Sequence, residues 1–497
     1  MAHLSLNRSI FFHRQTLILL FLFFAVRIAS YFAMGHVLIG STITLALISL
    51  MVVLFFYRPQ WAWYIVLGEL FIGGTGHLFE LFGISIRSAF FISFVGLWLL
   101  YSIFKKQIKH IHIPHRLFFF ILLYCSYLFF SALYGLNQGH PLSHVVQDAI
   151  PYAFFFFIIP FYYLHTYKEL HHFIIRLLIV WLIGTTLFTL YNEILFSSNM
   201  QFIHGEYYTW LRDVLMAKIT DMGTGFFRIV EPSHLLIAPV LLLISSLLMK
   251  KEKHHILWYV MLFCSYILVV LNFSRAYMLG IAAGFFVLLY THHIKQWLRV
   301  GVINAVMFVT ILLCSNLIAS QGDSTGLDLL GLRFGGIIAP STEVSAYTRR
   351  MLLTPTLAGI QAQPLLGVGI GATLTFQNPN TFEAVSTRHF DWGYFEILFE
   401  QGIIGGILFL LIIEEITRGL LKHIKQRKEY RDFHVGLFAG IISLGVIQLF
   451  GPAFTHLFGI VFLSIIFVIS TKQPNVIETI TGYIYQTFHK DTLDKLT

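Results

Sequence analysis

The 497 residues are 57% hydrophobic and 11% charged, and 51 of them are Phe. Soluble domains carry about 25% charged residues, so this balance excludes a water-soluble enzyme, a nucleic-acid-binding module and a disordered scaffold. It predicts an all-α polytopic membrane protein, in which the net charge of +9 reflects membrane topology, with no nucleic-acid partner expected.

Residues 1–16 place Arg8 and Arg14 ahead of a long apolar stretch with no small-x-small cleavage pattern. That reads as an uncleaved signal anchor with its N-terminus inside. Apolar runs near the about 17–25 residues that span a bilayer then follow at 17–35, 37–57, 61–82, 86–104, 116–136, 145–165, 172–196, 230–249, 256–272, 276–291, 298–319, 394–417, 434–450 and 454–470. The expectation is about 12–14 transmembrane helices. Cys125, Cys264 and Cys314 each fall inside one of these runs, which supports neither a disulfide framework nor a thiolate metal site.

Counted alternately from an internal N-terminus, the connections at 105–115, 166–171, 250–255, 292–297 and 418–433 share one side, and they are the basic ones. Both termini are therefore expected to be cytoplasmic. Two connections on the opposite side, 197–229 and 320–393, are too long to be turns, and long connections in compact proteins tend to carry function. The chain divides into a transmembrane region at 1–319, an outer loop with short helices at 320–393, further transmembrane helices at 394–470, and a tail at 471–497. In that tail Val476, Ile477, Ile480, Ile484 and Phe488 recur at helical spacing, as expected of a helix lying on the inner membrane surface.

Four pieces on the outer side carry chemistry. The first is Arg228 to His234, where Glu231 precedes Pro232 at a helix start. Next, Ser274-Arg275 joins two spans with almost no loop, so its arginine sits at the membrane boundary, where desolvation asks for an anion. The third has Arg349-Arg350 on a helix in which Ala346, Arg349, Leu353, Leu357 and Ile360 share a face and which Pro355 is expected to kink or shorten, followed by the turn Gln363-Pro364-Leu365-Leu366-Gly367-Val368-Gly369-Ile370-Gly371. With no strand before this turn and no lysine after it, close backbone packing explains it better than nucleotide binding. The last is Arg388-His389-Phe390-Asp391-Trp392-Gly393-Tyr394, continuing to Glu396 and Glu400, which share a helical face as a buried acidic pair suited to proton transport or to shaping a cavity. Arginine dominates lysine on this side, a bias that suits phosphate oxygens.

In this order the pieces resemble the O-antigen ligase and O-antigen polymerase superfamily of bacterial polysaccharide assembly. The resemblance rests on Ser274-Arg275, on Arg349 ahead of Pro364-Leu365-Leu366-Gly367-Val368-Gly369, and on Asp391-Trp392-Gly393-Tyr394 followed by Gln401-Gly402-Ile403-Ile404-Gly405. Ligases of this family carry a histidine where this chain has Asp391, with His389 two residues away, and Glu231-Pro232-Ser233 looks more like the polymerase branch. The resemblance implies a glycosyltransferase of the bacterial inner membrane, active on its periplasmic face and fed by an undecaprenyl-diphosphate-linked glycan. The acceptor is a second glycan lipid for a polymerase, or lipid A-core for a ligase. Membrane lipids and a chain-length regulator are the further expected partners.

On this reading Arg275, Arg349, Arg350 and Arg228 bind the diphosphate, and Asp391, His389 or Glu231 draws the acceptor proton. With no Asp-x-Asp in the outer loops and no His/Cys cluster, transfer is expected to need neither metal nor other cofactor. A lipid-linked oligosaccharide flippase or exporter is the rival of another class. Transporters commonly show related halves around a midplane site, whereas the notable charges here gather at one face.

Overall fold

The computed structural model describes residues 14–74, 76–104, 115–164, 167–200, 204–250, 255–331, 344–377, 383–388, 391–426 and 430–471. His389, the tail beyond Thr471, and the basic stretches 105–114 and 251–254 lie outside the described residues. Backbone groups in hydrocarbon must find their partners within the segment, so apolar runs of spanning length fold as helices. In chain order these are α1 Arg14–Ala33, α2 Val37–Tyr57, α3 Pro59–Gly68, α4 Ile86–Phe104, α5 His115–Asn137, α6 Leu142–Ala153, α7 Ile158–Leu164, α8 Tyr167–Ser197 and the single turn α9 Glu206–Thr209. They continue as α10 Ile237–Leu248, α11 Ile256–Asn272, α12 Arg275–Val287, α13 Ile294–Ala319, α14 Val344–Ala362, α15 Gly393–Gln426, α16 Arg431–Ile447 and α17 Leu457–Thr471. Among the described residues eight helical segments are long and apolar enough to cross a membrane, and four shorter apolar helices accompany them. The protein is an all-α polytopic membrane protein, and among the described residues its strands form three two-stranded hairpins, the second and third being Lys218–Asp221 with Phe227–Val230 and Leu374–Gln377 with Ala384–Thr387.

Two of the expected elements differ in detail. The run 61–82 is helical only to Gly73, its last turn Glu69–Gly73 being a π-helix, and the remainder turns into the short hairpin Glu80–Leu81 with Ile84–Ser85. Pro355 does not shorten its helix: α14 runs from Val344 to Ala362 with the proline inside, and Thr356 Oγ1 donates to the Leu352 carbonyl at 2.6 Å. Among the described side chains of α14 the buried ones are Leu352 and Thr356, so its inner face there is offset by one residue from the Leu353 and Leu357 stripe. Leu352 packs with Ala372, Leu374 and Phe399.

The described residues form two compact units. One lies within Ser9–His112, Phe156–Trp181 and Ser464–Thr497. At its centre Trp63 is fully buried against Phe94, Phe157 and Phe161, with ring centroids 5.2, 4.7 and 5.0 Å away. Its buried and half-buried charges answer one another and the backbone: half-buried Arg87 Nε donates to Glu69 Oε2 at 2.9 Å, and buried Arg27 donates to the Ile72 carbonyl.

The other unit, within Ile113–Phe155 and Leu182–Leu463, holds every described candidate. Small residues set its helix spacing, as is common where lipid removes the usual hydrophobic drive between helices. A Cβ on Gly280 or Gly284 of α12 would stand 2.8 Å from the Ser443 or Ala439 carbonyl of α16. On α16 itself, Gly436 and Gly440 lie under Leu243 and Pro239 of α10. Helix α16 is thereby clasped between α10 and α12.

Candidate functional site

The site begins where a helix is broken. Gly402 in α15 has φ 64° and ψ −169°, a conformation essentially confined to glycine. The glycine-rich turn fills the break. Val368 N donates to the Phe399 carbonyl at 2.8 Å and Gly369 N to the Glu400 carbonyl at 3.0 Å, while Ile403 N and Ile404 N donate to the Pro364 and Leu365 carbonyls at 2.9 and 3.2 Å. Irregular backbone at membrane depth persists only where protein satisfies it, and here the exchange is reciprocal. Contact is too close for side chains: a Cβ on Gly367 would lie 2.6 Å from the Phe399 oxygen, and one on Gly402 2.2 Å from the Leu365 oxygen.

Around this joint stand four carboxylates and two guanidinium groups. Arg349 Nε, on the inner side of α14, donates to Asp391 Oδ2 at 3.0 Å, and Trp392 Nε1 donates to the Arg349 carbonyl at 3.4 Å. Arg388 Nη1 is 3.8 Å from Asp148 Oδ1 on α6. Glu400 is buried and accepts from Gly371 N at 3.3 Å. Glu396, one turn earlier, interacts electrostatically with Asp148, Asp391 and Glu400. Its Oε2 is buried and has no hydrogen-bond partner. Below Glu400, Gln401 donates to Tyr152 Oη and accepts from Tyr124 Oη, both at 3.0 Å.

A second group forms where α11 meets α12. Phe273 adopts a left-handed conformation (φ 46°) that ends α11, Ser274 caps α12, and Arg275 is its first residue, partly buried. Arg228 Nε donates to the Asn272 carbonyl at 2.7 Å, and Asn272 Nδ2 lies 3.3 Å from His234 Nδ1. Glu231, buried, occupies the N-cap of the 3-10 turn Pro232–Leu236 that leads into α10. Helix α16 connects the two groups: α12 rests on it through Gly280, and Tyr394, at the head of α15, donates to its Gly445 carbonyl at 2.9 Å.

Among the sequence-derived candidates, Arg349 and Asp391 meet directly. Arg228, Glu231 and Arg275 gather on the 228–234 strand-and-turn and the α11–α12 corner. Arg350 is exposed on α14, and His389 lies outside the described residues. Outside the membrane, Arg212 Nε and Nη2 donate to the two Asp213 oxygens at 2.6 and 2.8 Å, and these bonds hold that carboxyl below its usual range. Arg212 is thus answered locally. Sequence reasoning passed over Asp148 and Gln448. An acid inside the apolar run 145–165 was the available signal for Asp148. Gln448 accepts from Ala453 N and Phe454 N, and it packs so tightly on residue 393 that only glycine fits there.

Residues 260–410 match the family model described as O-antigen ligase. Over that segment the chain is similar to the O-antigen ligase family. The segment contains Arg275, Arg349, the glycine-rich turn, Asp391 and the Gly402 break, whereas Asp148, Arg228 and Glu231 precede it. No curated protein matches the chain. The apolar helices describe a multi-pass membrane protein, and its segment 260–410 is similar to the O-antigen ligase family.

Proposed function

We propose that this protein polymerises undecaprenyl-diphosphate-linked repeat units at the periplasmic face of the bacterial inner membrane, as a metal-independent glycosyltransferase. The acceptor hydroxyl oxygen bonds to the donor's anomeric carbon, the bond from that carbon to the diphosphate breaks with its electron pair leaving on phosphate, and a protein base takes the hydroxyl proton. Charge grows on the diphosphate, and fixed guanidinium groups aimed at it stabilise the transition state more than the ground state. Arg275 and Arg349 are the first candidates, with Arg228 and Arg350 beside them, and Asp391, His389 and Glu231 are the sequence candidates for the base.

The observation that carries this reading is the Arg349–Asp391 pair at the head of a broken helix, inside the segment that matches the ligase family. The pair uses Nε of Arg349, which leaves the two terminal nitrogens as the fork suited to phosphate oxygens. Polymerase is preferred to ligase because Asp391 stands where ligases carry histidine and because Glu231-Pro232-Ser233 resembles the polymerase branch. The lipopolysaccharide ladder of a deletion strain tests the choice. Loss of long chains with one repeat unit still on the core is expected; loss of all attached antigen, with lipid-linked polymer accumulating, would make the protein a ligase.

A further inference from the structure

Asp391 is committed to Arg349 at 3.0 Å, which makes it a poor resting place for a second positive charge such as the acceptor's proton. The carboxylate that is not so committed is Glu396. Its Oε2 is sealed from solvent and unpartnered, although buried polar atoms are nearly always paired. Its electrostatic neighbours are the carboxylates of Asp148, Asp391 and Glu400. Across Asp148 stands Arg388, and from α6 the Tyr152 hydroxyl interacts with both Glu396 and Glu400. Counting Arg349 and Arg388 against Asp148, Asp391, Glu396 and Glu400, the cluster holds two more acids than cations.

We infer that Glu396 is the catalytic base of the transfer, and that Asp391 is a positioning residue which holds Arg349 toward the diphosphate. This rests on the glycosyl-transfer reading and names the group that completes it. As the acceptor oxygen bonds to the anomeric carbon and the diphosphate departs, the hydroxyl proton moves to Glu396 Oε2. Release of that proton to solvent past half-exposed Asp391 resets the site. Glu400 does not share this role, because its Oε1 is occupied by Gly371 N and anchors the glycine-rich turn.

The test uses purified full-length protein with a lipid-linked repeat unit as donor and acceptor. Glu396→Gln preserves shape and removes the base; general-base catalysis contributes about 10²- to 10⁴-fold, so kcat is expected to fall by that factor with the donor KM unchanged. Glu396→Asp should restore part of the rate. Asp391→Asn should instead raise the donor KM while retaining the acid limb of the pH–kcat profile, which Glu396→Gln abolishes. Wild-type kcat in Glu396→Gln, with transfer lost in Arg275→Ala, overturns the assignment of the base and leaves the glycosyl-transfer reading intact. If Arg275→Ala and Arg349→Ala are silent as well, that reading itself fails. Should Glu396→Gln not be recovered from membranes, Glu396→Asp decides alone: an unchanged kcat and pH profile overturn the proposal, and a lower kcat at constant KM supports it.

Discussion

Arg275 opens α12 one residue after the left-handed Phe273, so its Cα is held by a helix start and by α16 beneath it. A guanidinium fixed in this way offers two parallel donors to a phosphate, whereas an ammonium on the same stem offers a point charge. Arg275→Lys is therefore expected to lower kcat/KM for the lipid-linked donor about 10- to 100-fold, the scale of one or two charged hydrogen bonds, with unchanged yield in the membrane fraction. Activity equal to wild type would remove Arg275 from the diphosphate site. Arg275 and Asp391 stand out as candidates in the linear chain because each is beside the start of a span, and Arg349 because it precedes the glycine-rich turn at the spacing of the resembled family. It could not show that Asp391 answers Arg349, nor that Asp148 arrives from more than two hundred residues earlier, since both follow from tertiary packing.

Among the elements, the long apolar runs were legible as helices because bilayer thickness fixes their length and hydrocarbon forbids unpaired backbone. The break at Gly402 was not, since φ/ψ there is imposed by the 364–369 turn docking onto 399–404, a contact between segments that a hydropathy pattern does not encode. The offset face of α14 has the same origin: Leu352 and Thr356 are inside because Phe399 and the hairpin after the turn lie on that side. Gly402→Ala should therefore destabilise strongly. Backbone strain of this kind costs about 1–3 kcal/mol, and a Cβ 2.2 Å from the Leu365 oxygen adds to it. Gly406→Ala, four residues on in regular helix with its nearest neighbour at 3.3 Å, serves as the control. Thermal unfolding of detergent-extracted protein should show a lower midpoint for Gly402→Ala alone; equal midpoints would mean that the joint relaxes freely.

At the scale of the whole molecule the proposed chemistry depends on sidedness. The donor's diphosphate must meet Arg275 and Arg349, and the acceptor hydroxyl Glu396, on one face, while the basic segment 418–433 takes in the far end of α15 and the start of α16. Past the break at Gly402, α15 runs on without interruption from Ile403 to Gln426, and at about 1.5 Å per residue that stretch alone exceeds the about 30 Å of hydrocarbon, so its two ends belong to opposite sides. Lysine and arginine accumulate on cytoplasmic connections, and Lys422 and Lys425 stand exposed near the end of α15. The prediction is that the head of α15, with Asp391 and the 320–393 loop, is periplasmic. Asp323 is exposed after α13 on that same loop. Cysteines introduced as Asp323→Cys and Lys425→Cys, in a background with Cys125, Cys264 and Cys314 replaced, should answer oppositely to a membrane-impermeant thiol reagent: Cys at 323 labelled in intact cells, Cys at 425 only after permeabilisation. Labelling of position 425 from outside would invert the molecule and carry the Arg349–Asp391 pair to the cytoplasmic face, where a periplasmic polymerase could not use it.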